Sequence, residues 1–70
     1  MHIALTGGAT GIGAAVAAKL KSRGATVTAF DLNEPQDNVD RWIRVDMSDP
    51  GSVEAAIAQV DGPFDGLVNN

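Results

Sequence analysis

Apolar and polar positions along the chain follow two periods, and their alternation sets the expected architecture. Residues 2–6 are short and apolar, centred on Ile3-Ala4-Leu5, and read as a strand buried on both faces. From Gly11 to Arg23 the period changes. Ile12, Val16 and Leu20 fall at i, i+4 and i+8, which predicts a helix with one stripe against a sheet. Four alanines between them favour the helix and let it lie close to the strands. Lys19, Lys21 and Arg23 suit the last turns, and Gly24 the position just past the end. Ala25 to Leu32 reads as a second strand and Trp42 to Val45 as a short third one.

Between those two strands, Asn33 to Arg41 is polar, carries Pro35 and three acids, and has no apolar stripe. It is expected to be an irregular loop or one short turn, its acids a solvated face, because a parallel crossover usually uses a dozen or more residues and a helix. Ser48-Asp49-Pro50 reads as a helix start, with the Ser48 hydroxyl capping and an acid in the first turn. Val53, Ile57 and Val60 then face the sheet, and Asp61-Gly62-Pro63 stops the helix. Phe64 to Asn70 is the fourth strand, with Leu67 and Val68 expected inside. The order β-α-β-β-α-β with right-handed crossovers predicts an α/β fold whose parallel strands lie side by side as 3-2-1-4. This is a partial doubly wound Rossmann arrangement, residues 1–70 being the N-terminal part of one nucleotide-binding domain.

The chemistry sits between the first strand and the first helix, in Thr6-Gly7-Gly8-Ala9-Thr10-Gly11-Ile12-Gly13. A tight strand-to-helix turn needs glycine's backbone freedom. The helix start then offers unpaired N–H groups and a partial positive charge to an anion. The string lacks the Gly-Lys-Ser/Thr ending of the nucleoside triphosphatase loop, since Ala14 and Ala15 follow Gly13. Asp31 ends the second strand eighteen positions past Gly13, where an acid in dinucleotide-binding folds accepts hydrogen bonds from the adenosine ribose.

The eight-residue string resembles the TGxxxGIG signature of the classical branch of the short-chain dehydrogenase/reductase family. The resemblance covers all 70 residues, but only the first part of the family fold. It implies a nicotinamide cofactor held by Gly7, Thr10, Gly11, Ile12, Gly13, Asp31, Leu32, Asp46, Met47 and Asn69. Asp46 would accept from the adenine amino group with Met47 beside the ring, and Asn69 would lie near the cofactor at the end of its strand. Asn70 would help fix the local backbone. An acid at Asp31, a neutral Thr10 where many NADP-preferring relatives carry a base, and neutral Leu32 and Asn33 favour NAD over NADP.

The implied activity is NAD-dependent oxidoreduction of the short-chain dehydrogenase type, with hydride passing between the cofactor and an alcohol or carbonyl substrate. The family's catalytic Ser, Tyr and Lys lie beyond Asn70, and this chain has no tyrosine, so no catalytic residue is assigned. Its departure from the commoner family pattern is the helix-free stretch at residues 33–41. The open alternatives are a binding module that grips NAD or adenosine without chemistry, and a structural fragment that pairs through its edge strand.

Composition narrows the rest. Net charge is −4 with acids spread along the chain, which argues against a nucleic-acid or anionic-membrane partner. With no cysteine and one histidine, His2, there is no disulfide staple and no expected metal cluster. No apolar run approaches a membrane span and no basic leader opens the chain, so the cytoplasm is the expected location. Seventy residues bury a small core, and an isolated half-sheet exposes an apolar edge. The chain is therefore expected to be a piece of a longer protein, one of a family commonly found as homo-oligomers.

Overall fold

The computed structural model describes residues 1–9, 11–35, 39–60 and 62–70. In chain order the elements are β1 (His2–Thr6), α1 (Gly11–Ser22), β2 (Thr26–Asp31), β3 (Arg41–Arg44), α2 (Pro50–Ile57) and β4 (Gly66–Asn69). The four strands form one parallel sheet ordered β3-β2-β1-β4, the order that handedness and element sequence predict. Leu5 aligns with Ala29 of β2 and with Val68 of β4, and Phe30 aligns with Ile43 of β3.

Strand alternation sends the apolar side chains to two cores, one on each face. Leu5, Val27 and Ala17 form the first, joined by Val16, Leu20, Val39 and Val68. Ile43, Val45 and Ala56 form the second, joined by Phe30, Val53 and Val60. Leu5, Val27 and Ile43 are the largest fully buried side chains. Each contributes about 1.5–3 kcal/mol relative to exposure.

The first helix ends as its glycine predicts. Gly24 (φ +83°) follows α1, Gly24 N donates to the Lys21 carbonyl, and Ala25 N donates to the Leu20 carbonyl. These are the paired bonds that close a helix whose next residue is left-handed. The second helix departs from expectation at its start. Asp49, not Ser48, is the cap: its Oδ1 accepts from Gly51 N at 3.0 Å. The Ser48 hydroxyl donates instead to Asp46 Oδ1 at 2.6 Å.

Three apolar residues expected inside are exposed. Ile12 is 76% exposed, because the inward face of α1 runs through Gly13, Val16, Ala17 and Leu20. Ile57 and Leu67 are 63% and 69% exposed. The eight-residue α2 packs on Phe30, Ile43 and Val45 and leaves the β4 side of that face uncovered. The result is an open groove of about 880 Å³ among Ala4, Phe30, Val53, Ile57, Phe64 and Leu67.

Among the described residues between β2 and β3 there is no helix, as the polar stretch predicts. Pro35 is buried, and Val39 packs into the first core beside α1. Asp40 is exposed, as expected of this stretch, but it is also tied into the sheet. Its N–H donates to the Val27 carbonyl and its Oδ2 accepts from Val27 N at 2.7 Å, so one residue makes both bonds of a ladder rung. Lys21 Nζ donates to both Asp40 oxygens, at 2.7 and 2.8 Å, tying α1 to the start of β3. Asp37 lies outside the described residues. His2, read as a surface residue, is half-buried, with Nε2 2.7 Å from Thr28 Oγ1 and its ring 4.4 Å from that of Phe64.

Candidate nucleotide-binding site

The carboxyl ends of β1, β2 and β4 meet the start of α1, and hydrogen bonds tie the three strand ends and the glycine turn together. Gly7 N donates to the Phe30 carbonyl at 3.0 Å, carrying the β1–β2 ladder one residue past the strand. From the other side, Asn70 Nδ2 donates to the Gly7 carbonyl at 3.1 Å. The Thr6 hydroxyl donates to Asn69 Oδ1 and accepts from Asn70 N. The two asparagines that end the chain therefore fasten the glycine turn to β4.

Each glycine of the turn serves a different need. Gly7 (φ +71°) and Gly11 (φ +57°) hold left-handed backbone that a side chain would strain. Beside Gly11 a Cβ would meet nothing within 4 Å, so this glycine borders open space. Gly13 is buried, and a Cβ there would lie 1.7 Å from the Gly7 carbonyl oxygen. The helix start thus presses directly on the turn. Gly8 is buried against Leu5 and Ala29. Exposed Ile12 stands at the mouth of the turn. Thr10 lies outside the described residues.

Asp31 sits across from this turn. Its Oδ2 accepts from Ala9 N at 2.9 Å and its Oδ1 accepts from Asn33 N at 3.0 Å. A carboxylate has about four lone-pair sites, so two backbone bonds leave each oxygen able to accept another donor. Leu32 beside it is exposed. At the end of β3, Asp46 Oδ1 accepts from both the N–H and the hydroxyl of Ser48. The Ser48 hydroxyl first, and its N–H second, hold the Asp46 carboxyl below the usual carboxylate range. Asp46 N donates to the Ser52 hydroxyl, and neighbouring Met47 is exposed.

The structure brings Gly7, Gly11, Ile12, Gly13, Asp31 and Asn69 to one end of the sheet, with Leu32, Asp46 and Met47 on the adjoining strand ends. It also adds residues that the sequence did not single out. Ala9 supplies a backbone N–H to Asp31, a role any residue but proline could fill and that leaves no sequence signal. Trp42 Nε1 donates to the Asp31 carbonyl at 2.9 Å; a lone tryptophan one strand away from the acid was the available hint. Among the described residues no group of three or more His, Cys, Asp or Glu could hold a metal ion. No helix among them is long and apolar enough to cross a membrane.

A family model described as short chain dehydrogenase matches residues 1–70. The chain is 42% identical over 67 residues to a coniferyl-alcohol dehydrogenase of Pseudomonas sp. (strain HR199 / DSM 7063), covering 96% of this chain and 26% of that protein. It is 38% identical to a cis-4-hydroxycyclohexanecarboxylate dehydrogenase of Sinomonas cyclohexanicum, covering 90% of this chain and 29% of that one. The crystal structure of a short chain dehydrogenase family protein from Francisella tularensis subsp. tularensis SCHU S4 superposes with a TM-score of 0.79 at 28% identity, over 99% of this chain and 30% of that structure. The chain thus spans under a third of the length of each of these proteins.

Proposed function

The chain belongs to the short-chain dehydrogenase family, and from that premise we propose that residues 1–70 are the cofactor-binding part of an NAD-dependent dehydrogenase. The observation that carries the reading is the Asp31 carboxylate, held against the glycine turn by Ala9 N and still able to accept from the ribose hydroxyls. Open space beside Gly11 and the helix start behind it suit a pyrophosphate, as the unpaired N–H groups of a helix terminus do in general. Asp46, Met47 and Leu32 flank the adenosine end. Ile12 and Asn69 lie toward the turn and β4, where the rest of the cofactor would run.

When bound, the cofactor supplies the hydride exchange with an alcohol or carbonyl carbon. This chain's own residues bind and orient: the turn accommodates phosphate, Asp31 selects the ribose, and Asn70 keeps the Gly7 carbonyl in place. No residue of the chain is assigned the proton transfer. We assign that step, and the small-molecule substrate, to a further part of a longer protein. The small share of the relatives' length that this chain covers and the uncovered groove on the α2 face both favour such a part. A cytoplasmic homo-oligomer is the form we propose for the whole protein.

Acid at Asp31 would repel a ribose phosphate, so NAD is favoured over NADP. The test is Asp31→Ala, measured for both cofactors. Hydrogen bonds to a charged group contribute about 1.5–3 kcal/mol, so NAD affinity should fall about ten- to hundredfold while NADP gains relative to NAD. A variant that discriminated as well as the parent would remove Asp31 from the site.

A further inference from the structure

The geometry points to Trp42 as a positioning residue for Asp31, acting through the Asp31 main-chain carbonyl. The inference rests on the assignment of Asp31 to the ribose. The Asp31 carbonyl accepts from two donors, Trp42 Nε1 at 2.9 Å and Val45 N at 3.2 Å. These fix the peptide plane between Asp31 and Leu32. That plane sets the course of the next residues, and Asn33 N then donates back to Asp31 Oδ1 at 3.0 Å. The carboxylate is thus held through a short turn whose far anchor is the indole.

The need for such an anchor follows from the connection that leaves β2. In a parallel α/β unit the crossover is usually a helix, which steadies the strand end it leaves. Here the described residues between β2 and β3 form no helix. Leu32, Asn33 and Glu34 are exposed. Trp42 aligns with Ala29, one strand away from the acid, and its side chain reaches the strand end from there. The half-buried indole N–H has its partner in this one carbonyl. A phenyl ring would fill most of the same space but would not make the bond.

The substitution that separates filling from positioning is Trp42→Phe. Amide hydrogen exchange in the cofactor-free protein reads the carboxylate's hold directly, since Ala9 N and Asn33 N both donate to it. Loss of one neutral hydrogen bond corresponds to about three- to tenfold faster exchange at Ala9 and Asn33, with Leu5 and Val27 unchanged. NAD affinity should fall by a similar factor, and the same substitution made on top of Asp31→Ala should leave it unchanged. Exchange at Ala9 and Asn33 equal to the parent's overturns the proposal. So does equal acceleration at Leu5 and Val27, which would make the ring a general support. If exchange changes as expected but Asp31→Ala leaves NAD binding intact, the positioning stands and the ribose assignment fails.

Discussion

Replacing Gly13 with alanine should damage this protein more than replacing any other glycine of the turn. The added Cβ would stand 1.7 Å from the Gly7 carbonyl oxygen and 2.7 Å from Asn70 Nδ2. Ordinary contact begins near 3.4 Å, so helix and turn would have to separate by more than about 1 Å, a large displacement in a close-packed interior. The Gly7 peptide cannot yield freely. Its N–H donates to Phe30 and its carbonyl accepts from Asn70. Overpacking costs about 1–3 kcal/mol, and each lost hydrogen bond about 0.5–1.5 kcal/mol. The total, about 2–6 kcal/mol, is a large share of the roughly 4–10 kcal/mol expected for a unit of this size. Gly11→Ala is the informative comparison. Its φ of +57° makes alanine strained, yet nothing lies within 4 Å, so the cost is about 1–2 kcal/mol of backbone strain. Gly24→Ala (φ +83°, open space) is the same strain at the far end of α1. Thermal unfolding followed by circular dichroism should rank Gly13→Ala well below the other two, with Gly11→Ala and Gly24→Ala close together. A Gly13→Ala midpoint at or above that of Gly11→Ala would refute the claim that contact of the helix with the turn, rather than backbone strain, fixes this residue.

Asp49→Ala should destabilise α2 by about 0.5–2 kcal/mol through loss of its cap, whereas Ser48→Ala should leave urea unfolding nearly unchanged; the reverse ranking would restore Ser48 as the cap. Asp40→Ala strands the buried Val27 N–H and should cost about 1–3 kcal/mol, while Lys21→Met, which removes an exposed ion-pair partner, should cost under about 1 kcal/mol. The Lys21 ammonium first, and the Val27 N–H second, hold the Asp40 carboxyl below its ordinary value of 3.8. A depressed carboxylate contributes stability that is present above 3.8 and is lost as pH falls through the lower folded value. Unfolding midpoints taken from pH 7 down to pH 2 should therefore fall less steeply below about pH 4 in Asp40→Asn than in the parent; parallel curves would contradict the assignment.

The strand order was legible because handedness leaves few ways to join β-α-β-β-α-β, and the glycine turn because its spacing reports backbone geometry directly. Asp31 was legible as a strand-end acid at the right distance. Less was readable where two residues compete for one role. Ser48 and Asp49 are both capping types, and only the position of Asp46 sends the Ser48 hydroxyl elsewhere. Periodicity placed Ile57 and Leu67 on inward faces but could not say how far α2 reaches across the sheet. Asp40 looked like one more acid in a polar stretch, and its place in the β2–β3 ladder depends on a register that appears only once the strands are paired.

In the proposed function, this sheet end binds NAD through Asp31 and the glycine turn. Calorimetric titration of the protein with NAD and with NADP, in the same buffer, tests it most directly. Saturable binding of NAD and weaker binding of NADP are expected. Equal affinities, or tighter binding of NADP, would contradict it.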